Sequence, residues 1–226
     1  MHTKAADQLG RTLYEETLAA GKAALAGQLP AFDIVRQAAG DLMRELVFIH
    51  GAGGAIDDPD FGSQELVAFL QRELARDYLI RAPLMPSPEE PHAIAWLDAL
   101  DAELLDFPDD GVLIGHSMGG AMLLKFIAER RRSLSASGLV MIACPFWGEP
   151  DWRVEEFYLP HAFADRISGL RRVLLYHSRD DAIVPFAHMA VYHEHIPRAE
   201  AHAVDGAGHA FARGDRRALA SDIRSL

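Results

Sequence analysis

Gly115-His116-Ser117-Met118-Gly119 stands where a short apolar run, Val112-Leu113-Ile114, gives way to a helical stretch. A serine hydroxyl at its ordinary pKa is a poor nucleophile, so it needs a positioned base and a carboxylate to orient that base. G-x-S-x-G at a strand-to-helix junction answers part of that need. The sharp turn exposes the serine oxygen above the sheet and points the next residue's N–H toward a substrate. Side chains at the two flanking positions would collide with the neighbouring strand and helix, hence glycine. In a chain with 18 Gly among 226 residues, chance produces the pattern about 0.06 times. Its placement at a junction, more than its presence, makes Ser117 the candidate nucleophile over a plain Gly-rich turn.

His50-Gly51-Ala52-Gly53-Gly54 follows the first strand-like run. Its glycines let backbone amides approach a ligand closely. In a serine-hydrolase reading this loop supplies one oxyanion-hole N–H, from Ala52, and Met118 supplies the other. Gly51 is then a candidate substrate contact. An anion-binding loop or a simple turn is the plainer alternative. The dinucleotide pattern G-x-G-x-x-G is absent, because Gly51 and Gly53 are followed by Ile56.

The base and the acid are expected further on, in the order Ser, Asp, His. His177 to Pro185 follows an apolar run and carries Asp180 and Asp181; the D-x-x-V-P register selects Asp181, with Asp180 its rival. Gly206-Ala207-Gly208-His209 follows the last strand-like run, and its glycines free the loop to aim His209 as the base. His50 and His116 lie beside these motifs and are expected to be structural.

The elements that must position these residues alternate. Apolar runs at 46–49, 78–80, 112–114, 139–142 and 173–176 read as strands, those at 46–49 and 112–114 as buried ones, with a shorter strand near 201–204 and helical stretches between them. That grammar implies a mostly parallel sheet of about six strands with helices on both faces. Helix expectations include a stripe of Leu66, Leu70 and Leu74, and a second helix burying Ile94, Leu97, Leu100 and Leu104. Ser87-Pro88-Glu89-Glu90 reads as its capping box, with Pro91 delaying the start. A helix after Ser117 turns Ala121, Leu124, Ile127 and Ala128 inward. A last one, capped by Asp215, buries Leu219, Ile223 and Leu226. His188, His193 and His195 fall on one further helix, as a solvated face in preference to a metal site. Residues 1–42, rich in Ala, Leu, Glu and Lys, read as a helical extension without chemistry, and 43–226 as one catalytic domain.

Composition excludes several classes. A net charge of −11 argues against nucleic acid or an anionic membrane surface as partner. The acidic stretch Asp57-Asp58-Pro59-Asp60 points away from polyanionic substrates. The one cysteine, Cys144, rules out an internal disulfide framework and reads as a small buried hydrophobe. No zinc pattern is present, and no metal or organic cofactor is expected. Lys4, Asp7, Glu15, Glu16 and Lys22 interrupt any signal-peptide core, and no run reaches the length of a membrane span, so the cytoplasm is the expected location.

HGAGG, GHSMGG, DAIVP and GAGH, in that order from Glu45 onward, resemble the α/β-hydrolase superfamily. Within it the chain resembles the small, nearly capless serine hydrolases of the retinoblastoma-binding-protein type, which carry a segment like Ala143-Cys144-Pro145-Phe146-Trp147-Gly148 before the acid-bearing strand. The resemblance implies an α/β-hydrolase fold with a minimal lid, a small-molecule acyl substrate, and hydrolysis of a carboxylic ester (thioester and amide being alternatives) through an acyl-enzyme on Ser117. It also implies substrate contacts from Phe146 and Trp147, with Trp147, Trp152, Phe157 and Phe163 roofing the site unless they are ordinary core. The fold's usual first two strands are not evident, a helical extension standing in their place. Two other readings keep the scaffold: a catalytically silent binding protein, or a C–C hydrolase or perhydrolase using the same triad.

Overall fold

Alternation along each strand sets the architecture. The computed structural model describes residues 43–53 and 62–226; the expectations for residues 1–42, and for the acidic stretch 57–60, fall outside them. Six strands, β1 (Arg44–Ile49), β2 (Tyr78–Arg81), β3 (Val112–His116), β4 (Ala136–Ile142), β5 (Leu170–Ser178) and β6 (Glu200–Val204), form one sheet in the order β2-β1-β3-β4-β5-β6. Every neighbouring pair is parallel. Parallel strands need crossovers, and the helices that make them cover both faces. These are α1 (Gln64–Leu74), α2 (Ala93–Glu103), α3 (Met118–Glu129), α4 (Ala187–His195) and α5 (Arg217–Ser225).

Side chains one apart go to opposite faces. Val47, Ile49, Leu113, Leu139, Met141, Val173 and Leu175 pack in a core with Trp96, Leu100, Met122, Phe126 and Tyr192 of α2, α3 and α4. Leu46, Phe48, Val112, Ile114, Val140, Leu174 and Tyr176 pack in a second core with Leu66, Leu70, Leu74, Leu219 and Ile223 of α1 and α5. This is the α/β-hydrolase fold, with the mostly parallel sheet that the sequence implied. No helix among the described residues is long and apolar enough to cross a membrane.

Several helix readings need correction. Ile94 is 62% exposed, and α2 instead buries Ala93, Trp96, Leu97 and Leu100. Trp96 is drawn in because its indole N–H reaches the Pro86 carbonyl at 2.8 Å and its ring meets His50 edge-on. Ser87 is not the cap: it takes a positive φ of 44° in a turn closed by the Glu90 N–H to its carbonyl, and α2 begins only at Ala93. The orphan Ala93 N–H is accepted by the Glu156 carboxylate at 2.8 Å, from a distant segment. Asp215 lies one residue before the α5 N-cap, which is Arg216, and accepts the first helical N–H, that of Arg217, at 3.0 Å. α3 is buried all round from Met118 to Ala128, Lys125 included, because the sheet, α2 and the 3-10 turns after β4 enclose it. The Lys125 ammonium is satisfied by Glu129 at 2.7 Å and the Tyr158 carbonyl at 2.6 Å.

Candidate active site

Ser117 occupies the single residue between β3 and α3, with φ 51° and ψ −123°. Such a conformation is strained for any residue with a Cβ. The tight packing around it is what holds it. A Cβ on Gly115 would sit 2.2 Å from the Gly120 Cα, in the helix, and one on Gly119 would sit 2.2 Å from the Ile49 carbonyl oxygen, in the neighbouring strand. Neither obstacle is a flexible side-chain end, so both positions require glycine. The Ser117 N–H donates to the Ile142 carbonyl at 2.7 Å, fastening the turn to β4.

The ends of β5 and β6 bring two more groups to the same place. Ser117 Oγ lies 3.1 Å from His209 Nε2, and His209 Nδ1 lies 2.9 Å from Asp181 Oδ2. An ionised carboxylate only accepts, so Nδ1 carries the hydrogen and Nε2 is left to accept from the serine hydroxyl. Asp181 Oδ1 accepts the Ile183 and Val184 amides, both at 2.9 Å. Burial alone would push this carboxyl up. The hydrogen bonds from His177, His209 and the Ile183 amide, with the charge of His209, outweigh burial and hold it well below the usual carboxylate range. Asp180 turns away, accepting from Ser178 Oγ and from the Gly208 amide at 3.3 Å, and so ties the acid turn to the loop that carries His209.

Three further histidines, His116, His50 and His177, tie down the backbone around these groups. His116 is fully buried; its Nε2 lies 2.8 Å from the His209 carbonyl and its Nδ1 2.8 Å from Ser63 Oγ. Ser63 Oγ in turn accepts the Gly51 N–H at 3.0 Å. One chain of hydrogen bonds therefore joins the Gly-rich loop, the start of α1, the end of β3 and the loop that carries His209. Desolvation, with the charge of His209 next, pushes His116 down to about 3, so it works as a neutral ring. His50 Nε2 accepts the Met85 amide at 2.8 Å while its Nδ1–H donates to the Gly51 carbonyl at 2.6 Å. His177 Nε2 lies 2.9 Å from the Val184 carbonyl and 3.0 Å from Asp181 Oδ2, closing the acid turn.

Above Ser117 opens a cavity of about 300 Å³ lined by Ala52, Gly53, Pro91, Ser117, Met118, Pro145, Trp147, Trp152, Phe157, Ile183 and His209. Met118 is the first residue of α3, so its N–H has no carbonyl of the helix to bond. The structure thus brings Ser117, His209, Asp181, Ala52, Met118 and Trp147 together. Gly51 and Phe146 do not line the cavity. Gly51 packs behind Ser117, where a Cβ would come 3.1 Å from the Ser117 Cβ, and its N–H is already taken by Ser63. Phe146 is half-buried at the edge of the core, its ring stacked on His195 at 5.2 Å and its N–H donated to His188 Nδ1 at 2.8 Å. Phe163 likewise packs on Phe146 and His195. His188 is buried by its bond to Phe146 and not part of a solvated face, while His193 and His195 are exposed. Cys144 is buried, and burial pushes its thiol far up.

Ser63, His177 and Glu156 escaped the sequence reading. Ser63 precedes a helix and looks like an ordinary cap; its actual partners are 12 and 53 residues away. Only the i, i+4 spacing of His177 and Asp181 was visible, and in a turn that spacing has no helical meaning.

The profile of the alpha/beta hydrolase family matches residues 46–170, more than half of the chain, and the protein belongs to that family. Among solved structures it is similar to the ydeN gene product of B. subtilis (TM-score 0.65, 21% identity, 81% of this chain and 98% of that one). It is also similar to Est1E of Butyrivibrio proteoclasticus (TM-score 0.59, 17% identity, 82% and 87%). A third similar structure is 2-hydroxy-6-oxo-6-phenylhexa-2,4-dienoate hydrolase of Rhodococcus sp. strain RHA1 (TM-score 0.63, 18% identity, 82% and 91%). At these identities the likeness is one of fold. Comparison with curated proteins gave no significant sequence match.

Proposed function

We propose that the protein is a serine hydrolase that cleaves a carboxylic ester through an acyl-enzyme on Ser117. The observation that carries this reading is the unbroken hydrogen-bond chain Asp181–His209–Ser117 at the floor of a cavity. His209 Nε2 takes the hydroxyl proton as Oγ attacks the ester carbonyl. Asp181 holds the Nδ1–H tautomer and stabilises the imidazolium that forms. The Ala52 and Met118 amides hold the oxyanion, with the positive end of the α3 dipole behind Met118. The imidazolium then protonates the leaving alkoxide, the alcohol departs, and water attacks the acyl-enzyme with His209 as base again. The same steps serve thioesters and amides.

The chain between β4 and β5 is short and builds its roof from single residues, which supports the resemblance to the nearly capless retinoblastoma-binding-protein type. The lone buried cysteine fits a reducing compartment, and the cytoplasm is the location this reading carries. Hydrolysis of a C–C bond with the same triad is the second reading, favoured by the fold's likeness to the dienoate hydrolase. A fluorophosphonate probe together with p-nitrophenyl acetate tests the proposal. Labelling at Ser117 and ester turnover, both lost in Ser117→Ala, are the expected result. A wild-type protein that neither labels nor turns over would leave a binding scaffold.

A further inference from the structure

Once the triad is set aside, the cavity wall is the least explained surface in the molecule. Trp147, Trp152 and Phe157 pack on one another, Trp147 meeting Trp152 at 66° with centroids 5.2 Å apart and Phe157 at 45° and 4.8 Å. Trp152 is braced from behind by the edge of His188, and Phe157 is nearly fully buried. Rings locked at mutual angles make a rigid wall that suits a flat guest in offset or edge-to-face contact. A flexible chain would gain less there, since it must give up rotamer freedom against a surface that does not adapt. At about 300 Å³ the cavity is also small, at the bottom of the range for ligand pockets.

Charge narrows the guest further. Among the described residues no Lys or Arg lines the cavity, and His209 is the one ionisable group that does. A carboxylate bound there would be stripped of water and left to pair with protonated His209. That form cannot accept the serine proton, so such a pairing would stop the reaction it accompanies. The roof segment 149–156 carries Glu149, Asp151, Glu155 and Glu156 against Arg153, all but Glu149 exposed, so an approaching anion meets like charge. We infer that the substrate is a neutral ester bearing one aromatic ring, seated against Trp147, Trp152 and Phe157. The inference rests on Ser117 acting as an acylated nucleophile, and goes beyond that in selecting both shape and charge.

The test compares kcat/KM of the wild-type protein for methyl benzoate and phenyl acetate with that for ethyl acetate and ethyl octanoate. It adds ring-carboxylated partners, monomethyl terephthalate and 4-acetoxybenzoate, while fluorophosphonate labelling of Ser117 runs in parallel. The neutral aryl esters should exceed the alkyl esters on the order of tenfold. The carboxylated partners should fall about a hundredfold or more below their neutral counterparts. Trp152→Leu should lower the aryl rates more than the ethyl acetate rate; should that variant fail to fold, the wild-type panel decides alone. If Ser117 labels but ethyl octanoate matches the aryl esters, or the carboxylated ones come within about threefold of the neutral ones, the inference is overturned while the serine-hydrolase reading stands. If Ser117 does not label and no ester turns over, both fall.

Discussion

The floor and the roof of the cavity are held by different forces. On the floor, Ser117, Asp181 and His209 are each fixed by directional bonds: the Ile142 carbonyl on Ser117, two amides on Asp181, and His116 on the His209 carbonyl. The roof, residues 143–169, is mostly irregular chain whose rings hold one another, pinned at Glu156 to Ala93 and at the Tyr158 carbonyl to Lys125. A group that must hold a proton path tolerates little displacement. A wall of rings packed on one another keeps its own shape but needs no such precision in its distance from Ser117. Changes to the floor should therefore appear in kcat, and changes to the roof in substrate preference and KM.

The largest expected break is Ser117→Ala, which should cost around a million-fold in turnover with the fold unchanged by circular dichroism; activity within about tenfold of wild type would remove Ser117 from the mechanism. Next comes Asp181→Asn, which leaves His209 in the wrong tautomer and should cost on the order of 10⁴ in kcat. Asp180→Asn loosens the loop without touching the imidazole and should be mild. Reversed effects would make Asp180 the acid.

His116 sharpens the comparison through stability. Its pKa falls from 6.5 to about 3 on folding, so the folded state binds fewer protons in that window. The stability this contributes is fully present above the ordinary histidine pKa and is lost as pH falls from there toward 3. Wild type should thus lose melting temperature steeply between neutral pH and pH about 4.5, and His116→Asn, whatever its starting stability, should lose less across the same interval. Equal losses would show that other groups set the acid limit. The smallest effect belongs to the roof: Glu156→Ala removes the acceptor of one helix N-terminal amide and should cost about 0.5–1 kcal/mol by denaturant titration, with KM rising and kcat nearly unchanged.

Legibility in the sequence followed the same divide. Most strand positions could be read because a parallel strand covered on both faces is a continuous apolar run, as in Leu46-Val47-Phe48-Ile49, whereas β6 at the sheet edge is mostly exposed and reads only weakly. Ser117 and its flanking glycines could be read because backbone crowding within a few residues dictates them. The buried face of α2 was misread because Ile94 and Trp96 are both apolar, and only the Pro86 carbonyl, brought close by the fold, decides between them. Gly51 and Phe146 were misplaced for a related reason: a glycine beside an oxyanion loop serves equally for ligand approach or for close packing. Ser63, His177 and Glu156 take their roles from partners that only the closed sheet supplies, so no local pattern could carry them.

The burial of α3 on every side has a consequence for motion. A helix with no solvent face loses its amide bonds only when the whole domain opens, so its protons should exchange with solvent at the rate of global unfolding. The roof, built from two 3-10 turns of three and four residues, has few main-chain bonds to break and should open locally and far more often. Solvent and small molecules would then reach Ser117 as residues 143–169 lift briefly with their rings still packed on one another, over a Ser117 that itself stays still. Deuterium uptake followed segment by segment would display that separation of timescales: fast through the roof, slowest from Met118 to Glu129.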